Sequence, residues 1–125
     1  MTVDKRATPL ATDEQTQAIL SLLRTASDSN NLKIGANEVT KILNKGKAQF
    51  VILAADCEPF EITAHLPLIC EDKNVPFVYV PSKIALGKGC DIKRAVVACG
   101  IFYENDEEYS RNKKIIDPIV NSLNK

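Results

Sequence analysis

The chain has 125 residues, 45% of them hydrophobic, with 16 basic and 16 acidic side chains. That length suits one compact domain whose core needs no metal or disulfide, and the zero formal charge argues against a binder that works through a broad cationic surface. The four cysteines (Cys57, Cys70, Cys90 and Cys99) include no C-x-x-C pair and His65 is the only histidine, which argues against a zinc site.

Residues 1–11 are polar and read as a flexible N-terminal arm with no apolar signal-peptide core; residues 12–125 read as a single domain. Thr12, with Gln15 three residues on, forms a capping box. Ala18, Ile19, Leu22, Leu23 and Ala26 follow at helical spacing, and Asp28-Ser29-Asn30-Asn31 ends that helix. Residues 32–34 form a short extended piece. A second helix is expected over residues 36–44, stopped by Gly46, with Val39, Ile42 and Leu43 on its buried face.

Residues 50–55 are continuously apolar and read as a strand buried on both faces. Pro59 opens a third helix at its first turn, with Ile62, Leu66, Ile69 and Cys70 on the core side, and Pro67 kinks or splits it. Residues 75–80 read as a second buried strand. Ser82 caps a short helix to about residue 86, and Gly87 and Gly89 flank Lys88 in the loop beyond. Residues 95–101 form a third apolar strand. The acidic stretch 104–108 precedes a last helix carrying Ile115, Ile116, Ile119, Val120 and Leu123, interrupted by Pro118. Helices alternate with buried strands, so the fold is α/β, a three-layer α/β/α sandwich with a small mixed central sheet. No apolar run approaches the roughly 20 residues needed to span a bilayer, so a soluble protein without a membrane partner is expected.

Enzymatic chemistry finds little support. Cys57 lies between Asp56 and Glu58, whereas a reactive thiolate wants cationic neighbours. The cysteines read as reduced, small hydrophobes of an intracellular protein, and His65 as a packed histidine with an ordinary hydrogen bond. Glu58 and Glu61 are close enough for acid–base work, but more often such a pair decorates a helix N-terminus. Gly87-Lys88-Gly89 is too short for a phosphate-binding loop.

RNA is a better match to the segment Gly35-Ala36-Asn37-Glu38-Val39-Thr40-Lys41. Gly35 frees the backbone at a helix start, where unpaired N–H groups can donate to phosphates. Asn37 and Lys41 are four apart and share a face; amide, carboxylate and ammonium together can read base edges. Taken alone, the segment reads first as a capped helix with solvated polar residues. Lys83, Lys88, Lys93 and Arg94 form a second cluster. Between residues 33 and 94 there are nine Lys/Arg and seven Asp/Glu, so any RNA site must be local and selective.

Together these residues resemble the kink-turn RNA-binding superfamily of ribosomal proteins and small ribonucleoprotein core proteins. The similarity continues through Ala54-Ala55-Asp56-Cys57-Glu58-Pro59, then His65-Leu66-Pro67-Leu68-Ile69-Cys70-Glu71-Asp72-Lys73-Asn74-Val75-Pro76, then Val80-Pro81-Ser82-Lys83 with Ala85-Leu86-Gly87. Residues 54–59 are similar to the eukaryotic branch shared by the U4 spliceosomal particle and box C/D small nucleolar particles; a box H/ACA or ribosomal relative is the alternative. A small α/β enzyme or ligand-binding domain using Glu58, Glu61 and Cys57 is the alternative from another class.

The resemblance implies binding to a kink-turn, two stems flanking a short bulge with tandem sheared G·A pairs. Gly35, Asn37, Glu38 and Lys41 would contact the G·A guanines and nearby backbone. Glu58, Ile62, Lys83, Arg94 and Val97 would surround an extruded nucleotide, with Lys33, Ile92 and Lys93 completing the contact set. It further implies U4 and box C/D RNAs as partners, recruitment of Nop-domain proteins, an indirect link to a 2′-O-methyltransferase subunit, and a nuclear and nucleolar location. The free protein would be a monomer without cofactor, metal or enzymatic activity of its own. Ile34 stands where relatives usually carry a basic residue, Asp91 where they carry glycine, and Lys93 and Ala95 replace a usual serine and proline.

Overall fold

The computed structural model describes residues 9–123. The elements in chain order are α1 (Asp13–Asp28), β1 (Leu32–Ile34), α2 (Ala36–Asn44), β2 (Ala48–Ala54), α3 (His65–Lys73), β3 (Phe77–Val80), α4 (Lys83–Gly89), β4 (Ala98–Phe102) and α5 (Asp106–Leu123). The strands form one sheet in the order β1-β4-β2-β3. β4 runs antiparallel to both β1 and β2, and β3 runs parallel to β2, so the sheet is mixed as expected.

Strand periodicity explains the three layers. Phe50, Ile52 and Ala54 of β2 face a core shared with α1, α4 and α5. The alternate residues Val51 and Leu53 face a second core with Val39 and Leu43 of α2 and Leu66 and Cys70 of α3. A strand apolar on both faces is the only kind that can sit between two helical layers. Among the described residues no helix is long and apolar enough to cross a membrane.

Local chemistry sets most helix ends. The Thr12–Gln15 capping box makes both of its hydrogen bonds. Gly35 precedes α2 at φ +106° and ψ 147°, backbone that only glycine adopts without strain. Ser82 caps α4 by accepting from the Ala85 N–H at 3.2 Å.

Several expectations need correction. Pro59 opens only a single 3-10 turn, Phe60–Ile62, and the α-helix begins at His65. Pro67 neither kinks nor splits it, since it falls in the first turn, where its missing N–H has no carbonyl to meet. On that short turn Ile62 is 47% exposed and does not face the core; Ile115, at the open edge of the groove between α1 and α5, is exposed too.

Gly87 and Gly89 belong to α4 itself. A Cβ on Gly87 would stand 1.9 Å from the Arg94 carbonyl oxygen, and one on Gly89 2.6 Å from Leu20 Cδ2. These glycines permit close approach and do not break the helix. The acids at 106–108 form the first turn of α5, where the helix dipole favours them. Pro118 lies inside that helix without ending it.

Contrary to expectation, Pro9–Ala11 do not belong to a flexible arm. Residues 1–8 lie outside the described residues, but Pro9–Ala11 are docked on the sheet. Tyr79 at the β3 edge donates to Pro9 O at 2.9 Å and accepts from the Ala11 N–H at 2.8 Å. An edge strand leaves such groups open, and this segment closes them.

Candidate nucleic-acid interface

Strand register gathers the singled-out residues at one end of the sheet. The Gly35 N–H donates to Ala98 O (2.8 Å), the Ala54 N–H to Val97 O (2.9 Å) and the Ala55 N–H to Val80 O (2.8 Å). Asp56, buried to 5% exposure, accepts from the Lys83 N–H at 2.8 Å. These four bonds stitch together the start of α2, the β2–α3 connection, the start of α4 and the loop 91–97. Segments separated by tens of residues thereby share one rim.

The α2 side of the rim is open. No side chain caps the helix N-terminus, so the first-turn N–H groups lack intrahelical partners. Asn37 is exposed, and its side chain makes no hydrogen bond among the described residues. Glu38 Oε1 accepts from Lys41 Nζ at 3.4 Å, a contact between exposed groups that a ligand can replace at little cost. Thr40 Oγ1 donates to Ala36 O at 2.8 Å and lies 3.2 Å from His65 Nε2. His65 thus joins α3 to α2 through an ordinary hydrogen bond.

Across the rim, Glu58 and Arg94 are exposed, Lys83 and Val97 are half-buried, and Ile62 presents an apolar surface. Ile92, Lys93 and Arg94 line a cleft of about 450 Å³ with Ile84, Lys88 and Ala95. Ile92 packs against the core on the α1 side and anchors the loop. Lys33 is the residue not gathered here. It pairs with Gly100 two positions back along β1, and its ammonium lies 5.2 Å from the centre of the Phe102 ring, away from the rim.

Two contributors escaped sequence reasoning. Asp56 orders the rim through the Lys83 backbone; its place between two apolar segments was the available signal. Ile84 is 50% exposed beside the Arg94 cleft, and no periodic pattern in so short a helix sets it apart.

The arrangement suits binding better than covalent chemistry. Burial pushes the Cys57 thiol up, outweighing the Thr63 hydrogen bond and the Lys83 charge, while Asp56 adds to the rise. A thiol so held is a poor nucleophile at neutral pH. All four cysteines are free and buried, and among the described residues no group of three or more His, Cys, Asp or Glu side chains forms a possible metal site.

Comparison with known proteins fits this geometry. Residues 17–110 match the ribosomal protein L7Ae/L30e/S12e/Gadd45 family. The chain is 55% identical over 100 residues to the 13 kDa ribonucleoprotein-associated protein of Eremothecium gossypii, covering 80% of this chain and 79% of that one. It is 52% identical over 99 residues to NHP2-like protein 1 of Xenopus tropicalis, covering 79% and 77%. The solved structure of the Giardia lamblia 15.5kD RNA binding protein superposes with a TM-score of 0.84 at 40% identity, covering 97% of this chain and 99% of that one.

Proposed function

The chain belongs to the ribosomal protein L7Ae/L30e/S12e/Gadd45 family, and from that premise we propose that it is an RNA-binding ribonucleoprotein component that recognises kink-turn RNA. One observation carries the reading: the uncapped α2 N-terminus with Asn37, Glu38 and Lys41 shares a rim with Glu58, Lys83 and Arg94. Relatives named as ribonucleoprotein-associated and RNA-binding proteins support RNA as the partner.

In this reading Asn37, Glu38 and Lys41 meet the guanine edges and backbone of the sheared G·A pairs. Glu58, Ile62, Lys83, Arg94 and Val97 hold the extruded nucleotide, with Ile92 and Lys93 beside it. Lys33 is held to the flank by Phe102 and would contact RNA only by leaving that ring. Bulges expose base edges that an A-form stem hides. By binding the bent form preferentially, the protein shifts the RNA population toward it.

The folded RNA would then nucleate box C/D particles and the U4 particle in the nucleus and nucleolus. The RNA–protein surface would recruit a Nop-domain protein, and methyl transfer would belong to another subunit. The test compares binding of the full chain to a kink-turn RNA and to the same RNA with its G·A pairs replaced by Watson–Crick pairs. Strong preference for the kink-turn is expected. Equal affinity would overturn the reading.

A further inference from the structure

Arg24 lies on α1, outside every contact assigned above, yet it reaches the RNA-facing loop 91–97. Its Nη2 stands 3.3 Å from Asp91 Oδ1, and both side chains are largely exposed. Asp91 adopts φ +61°, the left-handed region that aspartate tolerates better than most residues with a Cβ. That backbone choice helps set the direction in which its carboxylate leaves the chain.

The loop itself is sparsely held. Asp91 and Ile92 donate to Lys88 O and Gly87 O, both at 3.0 Å, and Val96 donates to Lys83 O at 3.0 Å. Lys93, Arg94 and Ala95 between them are exposed. Asp91 is the only acid in residues 91–97, beside the cations Lys93 and Arg94. An unpaired carboxylate here would repel RNA phosphates within a Debye length of about 8–10 Å. α1 belongs to the layer opposite α2, so the ion pair draws the carboxylate toward the side away from Asn37 and Glu38.

We propose that Arg24 is a positioning residue for RNA binding: it neutralises Asp91 and holds its carboxylate against α1, so that Lys93 and Arg94 meet RNA without an opposing charge. The inference rests on the RNA reading above. An exposed ion pair adds little to global stability. The effect of Arg24 is local and electrostatic.

A double-mutant cycle on the full chain tests it, with binding to kink-turn RNA measured at about 50 mM and about 200 mM salt. Arg24→Ala should weaken binding by about fivefold at low salt, and the loss should shrink at high salt. Asp91→Asn should bind as well as the unsubstituted chain or better. Adding Arg24→Ala to Asp91→Asn should then change nothing. The proposal falls if Arg24→Ala is silent alone, or if its loss persists in the Asp91→Asn background, which would make Arg24 a direct phosphate contact. Thermal midpoints should stay level across the set. If the unsubstituted chain fails to prefer kink-turn RNA, the RNA reading itself fails. The tether is then judged on the free protein, where Arg24→Ala should speed exchange of the Asp91 and Ile92 amides, which the loop holds by hydrogen bonds; unchanged exchange overturns it.

Discussion

Two polar triads of nearly the same composition occupy different parts of this molecule. Asn31, Glu108 and Arg111 close on one another: Asn31 Nδ2 donates to Glu108 Oε1 at 3.0 Å, and Arg111 Nη2 donates to Asn31 Oδ1 at 2.7 Å. Asn37, Glu38 and Lys41 stay open, with one contact of 3.4 Å between exposed groups. Asn31 is 1% exposed, whereas Asn37 faces solvent. Residue type is therefore no guide to role. What differs is whether the fold has already satisfied the group. The closed triad, with Gln49 and Asn112 beside it, ties α5 to the sheet. The open one leaves its donors and acceptors facing solvent.

The largest effect should come from the closed side. Asn112 is 2% exposed and donates to Gln49 Oε1 at 2.9 Å and Phe102 O at 3.2 Å. Asn112→Ala leaves both acceptors buried and unpaired, at a cost of roughly 2–4 kcal/mol in stability. Urea unfolding measures this. RNA affinity of the protein that remains folded should not change, and a parallel loss of affinity would blur the division between the two sides.

Glu38→Ala should do the reverse. On the proposed reading it removes a base-edge acceptor and should cost on the order of 1–3 kcal/mol in kink-turn affinity, while the lost surface ion pair costs at most about 0.5 kcal/mol in stability. Isothermal titration alongside thermal melting separates the two. Undiminished affinity would remove Glu38 from the readout.

Gly35→Ala is the substitution that should cross the division. Nothing lies within 4 Å of a Cβ built there, so the strain is purely that of φ +106°. Stability should fall by about 1–3 kcal/mol, and RNA affinity should fall with it, because the first turn of α2 shifts. A loss confined to stability would mean that the α2 N-terminus takes no part in binding.

Much of this was legible where the signal is local. The bounds of α2, the capping box of α1 and the two-faced burial of β2 follow from glycine placement, a four-residue motif and an unbroken apolar run. The errors came where the deciding partner is distant in sequence. Gly87 reads as a helix breaker until the Arg94 carbonyl is seen against it, and Ile115 looks like core until α1 and α5 are packed. Pro9–Ala11 read as an arm because the β3 edge they cover lies about 70 residues away. The candidate site divides in the same way. Residues 35–41 stood out by their chemistry, but only the register linking Gly35 to Ala98, Ala54 to Val97 and Asp56 to Lys83 sets them beside Glu58 and Arg94.

The smallest effect tests the closed triad by pH. The Glu104 N–H donates to Glu108 Oε1 at 2.9 Å and is the main cause holding that carboxyl below the usual glutamate range. Desolvation works against it, and the Asn31 hydrogen bond and the Arg111 charge add to it. A carboxyl whose folded value is depressed stabilises the native state fully above its unfolded value of roughly 4.3, and that contribution is lost as pH falls through the folded value. Glu108→Gln keeps the acceptor oxygen and removes the charge. Its melting temperature should therefore sit slightly below that of the unsubstituted chain by a constant gap from about pH 7 to about pH 5, and the gap should close below about pH 4. A gap that persists unchanged into acid would mean that the gap does not come from the Glu108 charge, and that the closed triad holds α5 without it.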